Sequence, residues 1–192
     1  MIKLLLSLAA TWRKTRRGGV LCIMVVDVRR AHWNADARRT TYIQVPEEDW
    51  EEGMCGLALR SLYGFLDAAS CWSDEVSNML RENGFRVGAS NPALFRHDGE
   101  EVFGLVHGDD FITLGDDQGQ DFFEACLKKR YQYKMCGRLR PRSRECRVLN
   151  LYIRWPVGQE PEYEADPRHA QVISKELGLV NGAVRLLSLI HI

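Results

Sequence analysis

The stretch Val102-Phe103-Gly104-Leu105-Val106-His107-Gly108-Asp109-Asp110-Phe111-Ile112-Thr113-Leu114 decides the fold. Two apolar runs rich in β-formers flank a Gly-Asp pair. That pattern predicts a β-hairpin over 102–114 with two carboxylates at its tip. Outward from it, Val20 to Val26 (V-L-C-I-M-V-V) is a continuous apolar run whose length fits a buried central strand. It ends in Asp27. A carboxylate leaving a core strand is costly unless it is paired or holds a cation.

The remaining segments supply partners for these strands. Residues 2–11 read as a helix. Thr41 to Val45 reads as a strand stopped by Pro46, and Leu57 to Leu62 as a further short one. Val76, Met79 and Leu80 share helical spacing before Asn83-Gly84, which predicts a helix over about 66–83. Ala93 to Arg96 reads as a strand, Asp121 to Lys129 as an amphipathic helix, and Val148 to Trp155 as a strand. Asp166-Pro167 is a helix start, with an N-cap Asp and Pro at the first position, and Gly178 closes that helix. The order mixes helices with hairpin-linked strands. It predicts an α+β fold, a mainly antiparallel sheet with helices packed on one face.

Composition excludes several classes. Apolar residues make up 45% of the 192 and charged residues 27%, ordinary for a globular domain. Lys plus Arg and Asp plus Glu are 26 each, so net charge names no partner. Local charge is more informative. Lys128, Lys129, Arg130, Lys134, Arg138, Arg140, Arg142, Arg144 and Arg147 face a single acid, Glu145, between 128 and 147. Such a run binds a polyanion or is a solvated loop. The six cysteines form no C-x-x-C pair, which argues against zinc, and most sit among apolar neighbours. The apolar start at Leu4 to Ala10 is too short for a membrane span and lacks a secretory pattern. An intracellular location, with no membrane partner, is expected.

Chemistry centres on the acids. Adjacent aspartates repel one another, and a fold that brings Asp109 and Asp110 near Asp27 does so most simply for a cation. Three carboxylates from neighbouring strands are what two-metal phosphoryl transfer requires. Mg²⁺ (or Mn²⁺) suits a sparse carboxylate site completed by water and substrate phosphates. Turn-forming and capping roles for the same aspartates are the plainer alternative.

Further residues resemble a known family. Ile2 to Ala10, Val26-Asp27-Val28-Arg29-Arg30-Ala31 with Asn34, Tyr42-Ile43 and Pro46-Glu47 resemble the region of the first catalytic aspartate in copia-type retrotransposon reverse transcriptases. Leu59-Arg60-Ser61-Leu62-Tyr63-Gly64 with Ala68 and Trp72 is similar to the K-S-L-Y-G-L-K-Q-A-P-R-x-W block of that family. Asn83-Gly84-Phe85 and Leu94-Phe95 resemble its linking segment. Leu105-Val106-His107-Gly108-Asp109-Asp110-Phe111 resembles the L-x-Y-V-D-D-I box, and Val148-Leu149-Asn150-Leu151 the F-L-G segment. The matches come in family order across about residues 2–178.

The tail at 179–192 matches nothing in the family, and over 1–178 this resemblance implies a right-hand polymerase palm. It implies DNA synthesis from deoxynucleoside triphosphates on a primed RNA or DNA template. Asp27, Asp109 and Asp110 would hold the metals. His32, Gly64, His107 and Gly108 would lie near nucleotide and template, and Lys128, Lys129, Arg138, Arg140, Arg142 and Arg144 would bind nucleic acid. His32 stands where the family carries Phe or Tyr as a sugar gate, and His107-Gly108 where it carries Tyr-Val. Asp67, Ala69 and Ser70 replace Gln, Pro and Arg. The resemblance leaves out the fingers, thumb and ribonuclease H parts of the parent polyprotein, so the chain alone is expected to be catalytically silent. Two alternatives remain: a non-catalytic nucleic-acid-binding remnant, and an unrelated Mg²⁺-dependent phosphohydrolase.

Overall fold

The apolar run after Gly19 forms strand β1 (Cys22–Val28), and nearly all of it is buried. The 102–114 segment forms β6 (Val102–His107) and β7 (Asp110–Gly115), with the turn between them at Gly108-Asp109. The structure is a computed structural model that describes residues 2–141 and 143–178. The chain divides into two compact units, Met1–Arg140 and Pro141–Ile192. The tail from 179 lies outside the described residues.

The first unit opens with α1 (Ile2–Trp12). It continues through β1, the two-residue strands β2 (Tyr42–Ile43) and β3 (Gly56–Leu57), α2 (Ala68–Glu82), β4 (Arg86–Val87), β5 (Leu94–His97), β6, β7, α3 (Asp117–Arg130) and β8 (Tyr133–Leu139). Its main sheet is antiparallel throughout, in the order β4-β5-β6-β7-β1-β8. β2 and β3 form a separate two-stranded ribbon. The fold class is therefore mixed α+β with antiparallel sheets, as expected.

Register assigns the faces, because residues directly opposite on paired strands point to the same side. Met24, Val26 and Phe111 share one face with Phe95, and there they join the core cluster of Trp72, Val76, Met79 and Leu80 from α2 and Phe123, Cys126 and Leu127 from α3. Ile23, Val25, Phe103, Leu105, Ile112 and Leu114 point to the other face. Trp12 at the end of α1 packs edge-to-face on Phe103, with ring centroids 5.2 Å apart. The expectation of helices on one face thus needs correction: α2 and α3 share a face, and α1 takes the opposite one. The sequence shows that α1 is amphipathic but not which sheet face its Leu5, Leu6 and Ala9 cover.

Local chemistry explains the element ends. Asn83 and Gly84 (φ +81°) stop α2. Asp116 caps α3 by accepting from the Gly119 amide at 3.0 Å. The same carboxylate receives Arg17 through two nitrogens at 2.6 Å and the Thr15 hydroxyl at 2.8 Å. It thereby ties the loop before β1 to the start of α3. Gln120, fully buried, accepts from the Thr113 hydroxyl at 2.6 Å and donates to the Cys22 carbonyl at 3.0 Å, which pins α3 to β7 and β1.

The described part of the basic segment is mostly regular structure: its start is the last turn of α3, β8 follows, and β9 (Ser143–Val148) lies in its second half. The second unit is a three-stranded antiparallel sheet in the order β11-β10-β9, with β10 at Leu151–Trp155 and β11 at Glu162–Ala165, followed by α4 (Pro167–Glu176). The expected strand over 148–155 is corrected to a hairpin. Leu149 (φ 50°) and Asn150 (φ 59°) form its turn, and the left-handed conformation at both positions is what a tight two-residue connection demands. Asp166 caps α4 by accepting from the Arg168 amide, with Pro167 at the first turn, as expected. Among the described residues no helix is long and apolar enough to cross a membrane.

Candidate active site

β1 and β7 run antiparallel with Asp27 opposite Asp110. Both side chains therefore stand on the α1 face at one end of the sheet. Asp109 is adjacent, in the turn, and its carbonyl accepts from the Val28 amide at 2.9 Å. The structure thus sets the three expected carboxylates at neighbouring backbone positions. Their electrostatics report the same proximity. The Asp110 carboxyl is raised above its ordinary range by burial first, then by the charges of Asp109 and Asp27, with His107 opposing. His107 is the register partner of Asp110 on β6 and is exposed.

Three mutually repelling carboxylates are hard oxygen donors of the kind Mg²⁺ or Mn²⁺ accepts. Their donor chemistry fits such an ion. They are not gathered into a coordination shell, however: among the described residues no group of three or more His, Cys, Asp or Glu side chains is close enough to hold a metal. Asp109 is exposed, and Asp27 and Asp110 are half-buried.

The turn itself is fixed from below. The Trp72 indole N–H donates to the Gly108 carbonyl at 2.7 Å, and Gly108 adopts φ +62°, a left-handed conformation that favours glycine. Gly64 has φ +97° with open space where a Cβ would stand. Backbone conformation alone therefore calls for a glycine there, whatever passes over it. His32 lies in a short 3₁₀ turn, Ala31–Asn34, directly after β1, with its ring 4.3 Å from that of Tyr63.

The basic residues are placed differently. Arg138 is opposite Met24, on the face of α2 and α3. Its guanidinium donates to Asp121 at 2.7 Å and Glu124 at 3.2 Å, both on α3. Arg140 pairs with Asp117 of the same helix. Lys128 and Lys129 are exposed in the last turn of α3, where a positive charge suits the helix dipole. Arg138 thus points away from the carboxylates, across the sheet. Arg142 and the side chain of Arg144 lie outside the described residues.

Two neighbours of the carboxylates were not anticipated. Lys134 is the register partner of Asp27 on β8. The exposed Cys136 thiol feels Asp27 and Asp110 after burial, its largest influence, and all three raise it. The signal was the alternation in Tyr133-Lys134-Met135-Cys136-Gly137-Arg138-Leu139, hidden because the segment reads first as a charge run.

No protein-family model matches the chain, and no curated protein does. Among solved structures, the chain is similar to an apo telomerase from Candida tropicalis truncated from its C-terminal domain, with 12% identity and a TM-score of 0.43. The match covers 84% of this chain and 39% of that one, so the chain spans about two fifths of the telomerase's length.

Proposed function

We propose that residues 2–140 are the palm of a copia-type reverse transcriptase, the RNA-directed DNA polymerase of a retrotransposon polyprotein, with Asp27, Asp109 and Asp110 as its metal-binding carboxylates. The observation that carries this reading is the register of β1 against β7, which sets Asp27 opposite Asp110 beside the Asp109 turn. When bound, Mg²⁺ or Mn²⁺ would supply Lewis-acid activation of a primer 3′-hydroxyl and neutralise triphosphate charge. The protein's own contribution is positional. The buried β1 and β7 hold two carboxylates on adjacent strands, and Trp72 fixes the turn that carries the third. Lys134, beside Asp27, offers a cation to the phosphates of a primer, template or nucleoside triphosphate. His32 stands where the family's sugar gate would be, with Tyr63 against its ring.

Primer extension on a primed RNA template with Mg²⁺ or Mn²⁺ tests the reading. The chain is compared with and without a fingers segment of the family appended. Extension is expected only in the fingers-completed protein, and Asp109→Asn should abolish it. Absence of extension in a completed, folded protein would reject catalysis.

A second reading is a non-catalytic remnant that binds nucleic acid. It is favoured by the ungathered carboxylates and by Lys134, a cation set opposite Asp27 on β8. Its signature is primer–template affinity that falls steeply with salt and does not need divalent cations.

A further inference from the structure

On its own face of the main sheet, α1 packs over β6 and β7. Towards the β4–β5 end of that face lies a cleft of about 420 Å³, bounded on its other side by the first two turns of α1. Leu4 and Leu8 line it from the helix, and Leu94 and Phe103 from the sheet. None of the four is fully buried, and Leu4 is 50% exposed. Among the described residues, the charged groups that line the cleft are Arg86 and Arg96 alone.

Register places those two arginines. Arg86 on β4 is directly opposite Arg96 on β5, and Arg96 is opposite Phe103 on β6, so all three side chains stand on the α1 face. Like charges directly opposite one another destabilise a sheet. A single carboxylate, Asp98, is shared between them. Each guanidinium meets it through Nε at 3.3 Å, one on each oxygen. Two positive charges against one negative leave a surplus of one at the rim of an apolar cleft. Both arginine side chains are more than half exposed, so their terminal N–H donors are open to a ligand arriving from water. Apolar walls beside a surplus cation select a molecule with an apolar body and one anionic head. The volume lies within the range of roughly 300–1,000 Å³ that small-molecule sites occupy.

We propose that this cleft binds a single-chain amphiphilic anion, of which a medium-chain fatty carboxylate such as decanoate is the simplest. The alkyl chain lies between α1 and the sheet, against Leu8, Leu94 and Phe103. The carboxylate meets the Arg86–Arg96 pair and supplies the second negative charge that Asp98 leaves wanting. The site goes beyond the polymerase reading and does not rest on it, for it needs neither metal nor nucleic acid. It uses the Phe103 end of β6, whereas the carboxylate turn follows the opposite end of that strand at His107.

The test is calorimetric titration of the full chain with octanoate, decanoate, dodecanoate and decanol, each below the concentration at which it self-associates. Decanoate should bind saturably with a dissociation constant of about 0.1 mM. Each added methylene should tighten binding about two- to fourfold, and decanol should bind about two- to fivefold more weakly than decanoate. Leu4→Asp sets a negative charge at the mouth, in the first turn of α1 where an acid suits the helix dipole. That variant should keep its circular dichroism spectrum and lose decanoate binding. With Arg86→Gln and Arg96→Gln together, the preference for decanoate over decanol should vanish. Non-saturable decanoate binding, affinity indifferent to chain length, or unchanged affinity in both Leu4→Asp and Leu8→Trp would overturn the site. A preference retained in the double glutamine variant would overturn the assignment of the head group to the arginine pair. Adsorption to phosphatidylglycerol vesicles without saturable binding of monomeric decanoate would make this face a membrane contact and overturn the cleft as a ligand site.

Discussion

Asp110 pays a folding cost for its position. Burial and two neighbouring carboxylates raise its proton affinity in the folded state. A carboxyl raised in this way favours the folded state only while protonated, so its contribution weakens as pH rises past the ordinary carboxylate range. Asp110→Asn should therefore raise the melting temperature at pH 7 in the presence of a chelator. Adding Mg²⁺ should raise the melting temperature of the native chain and leave the variant nearly unmoved; an equal shift in both would place the ion elsewhere. Asp116 has the opposite sign. The Arg17 guanidinium, aided by the Gly119 amide and the Thr15 hydroxyl, holds its carboxyl down at about 2. The stability this contributes is fully present above about pH 4 and is lost as pH falls through 2. Acid unfolding followed by circular dichroism should lose at most about 2 kcal/mol less over that window in Asp116→Asn than in the native chain. The positions of Asp27 and Asp110 at the ends of β1 and β7 were legible because costly acids bounding apolar strands are conspicuous. Lys134 was not, because a lysine within a basic run carries no individual signal until register sets it opposite Asp27.

At the level of elements, period and punctuation account for what was readable. β6 begins and ends where alternation and the turn pair predicted, and α4 is framed by Asp166-Pro167 and Gly178. The hairpin at Leu149-Asn150 escaped notice because neither residue is the glycine that usually advertises a left-handed turn. The strands β8 and β9 escaped because charge masked their alternation. Packing between elements is a separate matter that only the fold reveals. A Cβ on Gly104 would come within 2.2 Å of the Phe95 ring. Gly104→Ala should cost about 1–3 kcal/mol by displacing that ring from the cluster around Phe123, measured by urea denaturation; a neutral result would show that the sheet absorbs the methyl. The tie between α3 and β7 is polar. Thr113→Val keeps the shape but leaves the Gln120 carbonyl oxygen without its donor, at a cost of about 1–3 kcal/mol. A chevron in which Thr113→Val slows folding, instead of speeding unfolding, would place this contact early.

Across the whole molecule, the main core cluster draws every member from residues 24–133. A chain ending at Arg140 should therefore unfold cooperatively by itself; loss of near-ultraviolet circular dichroism in that shortened protein would contradict a self-contained core. The order of strands in the sheet has a consequence for synthesis. β1 is made first among the strands, yet it sits between β7 and β8, near the far end of the chain's first unit. Its run of Cys22 to Val26 has no strand partner until Asp110–Gly115 has left the ribosome, which at ordinary translation rates takes seconds. During that interval the most apolar segment of the molecule is an unpaired edge, open to pairing with a neighbouring nascent chain. The strand that later anchors the carboxylates is thus the one a holdase chaperone would be called on to shield.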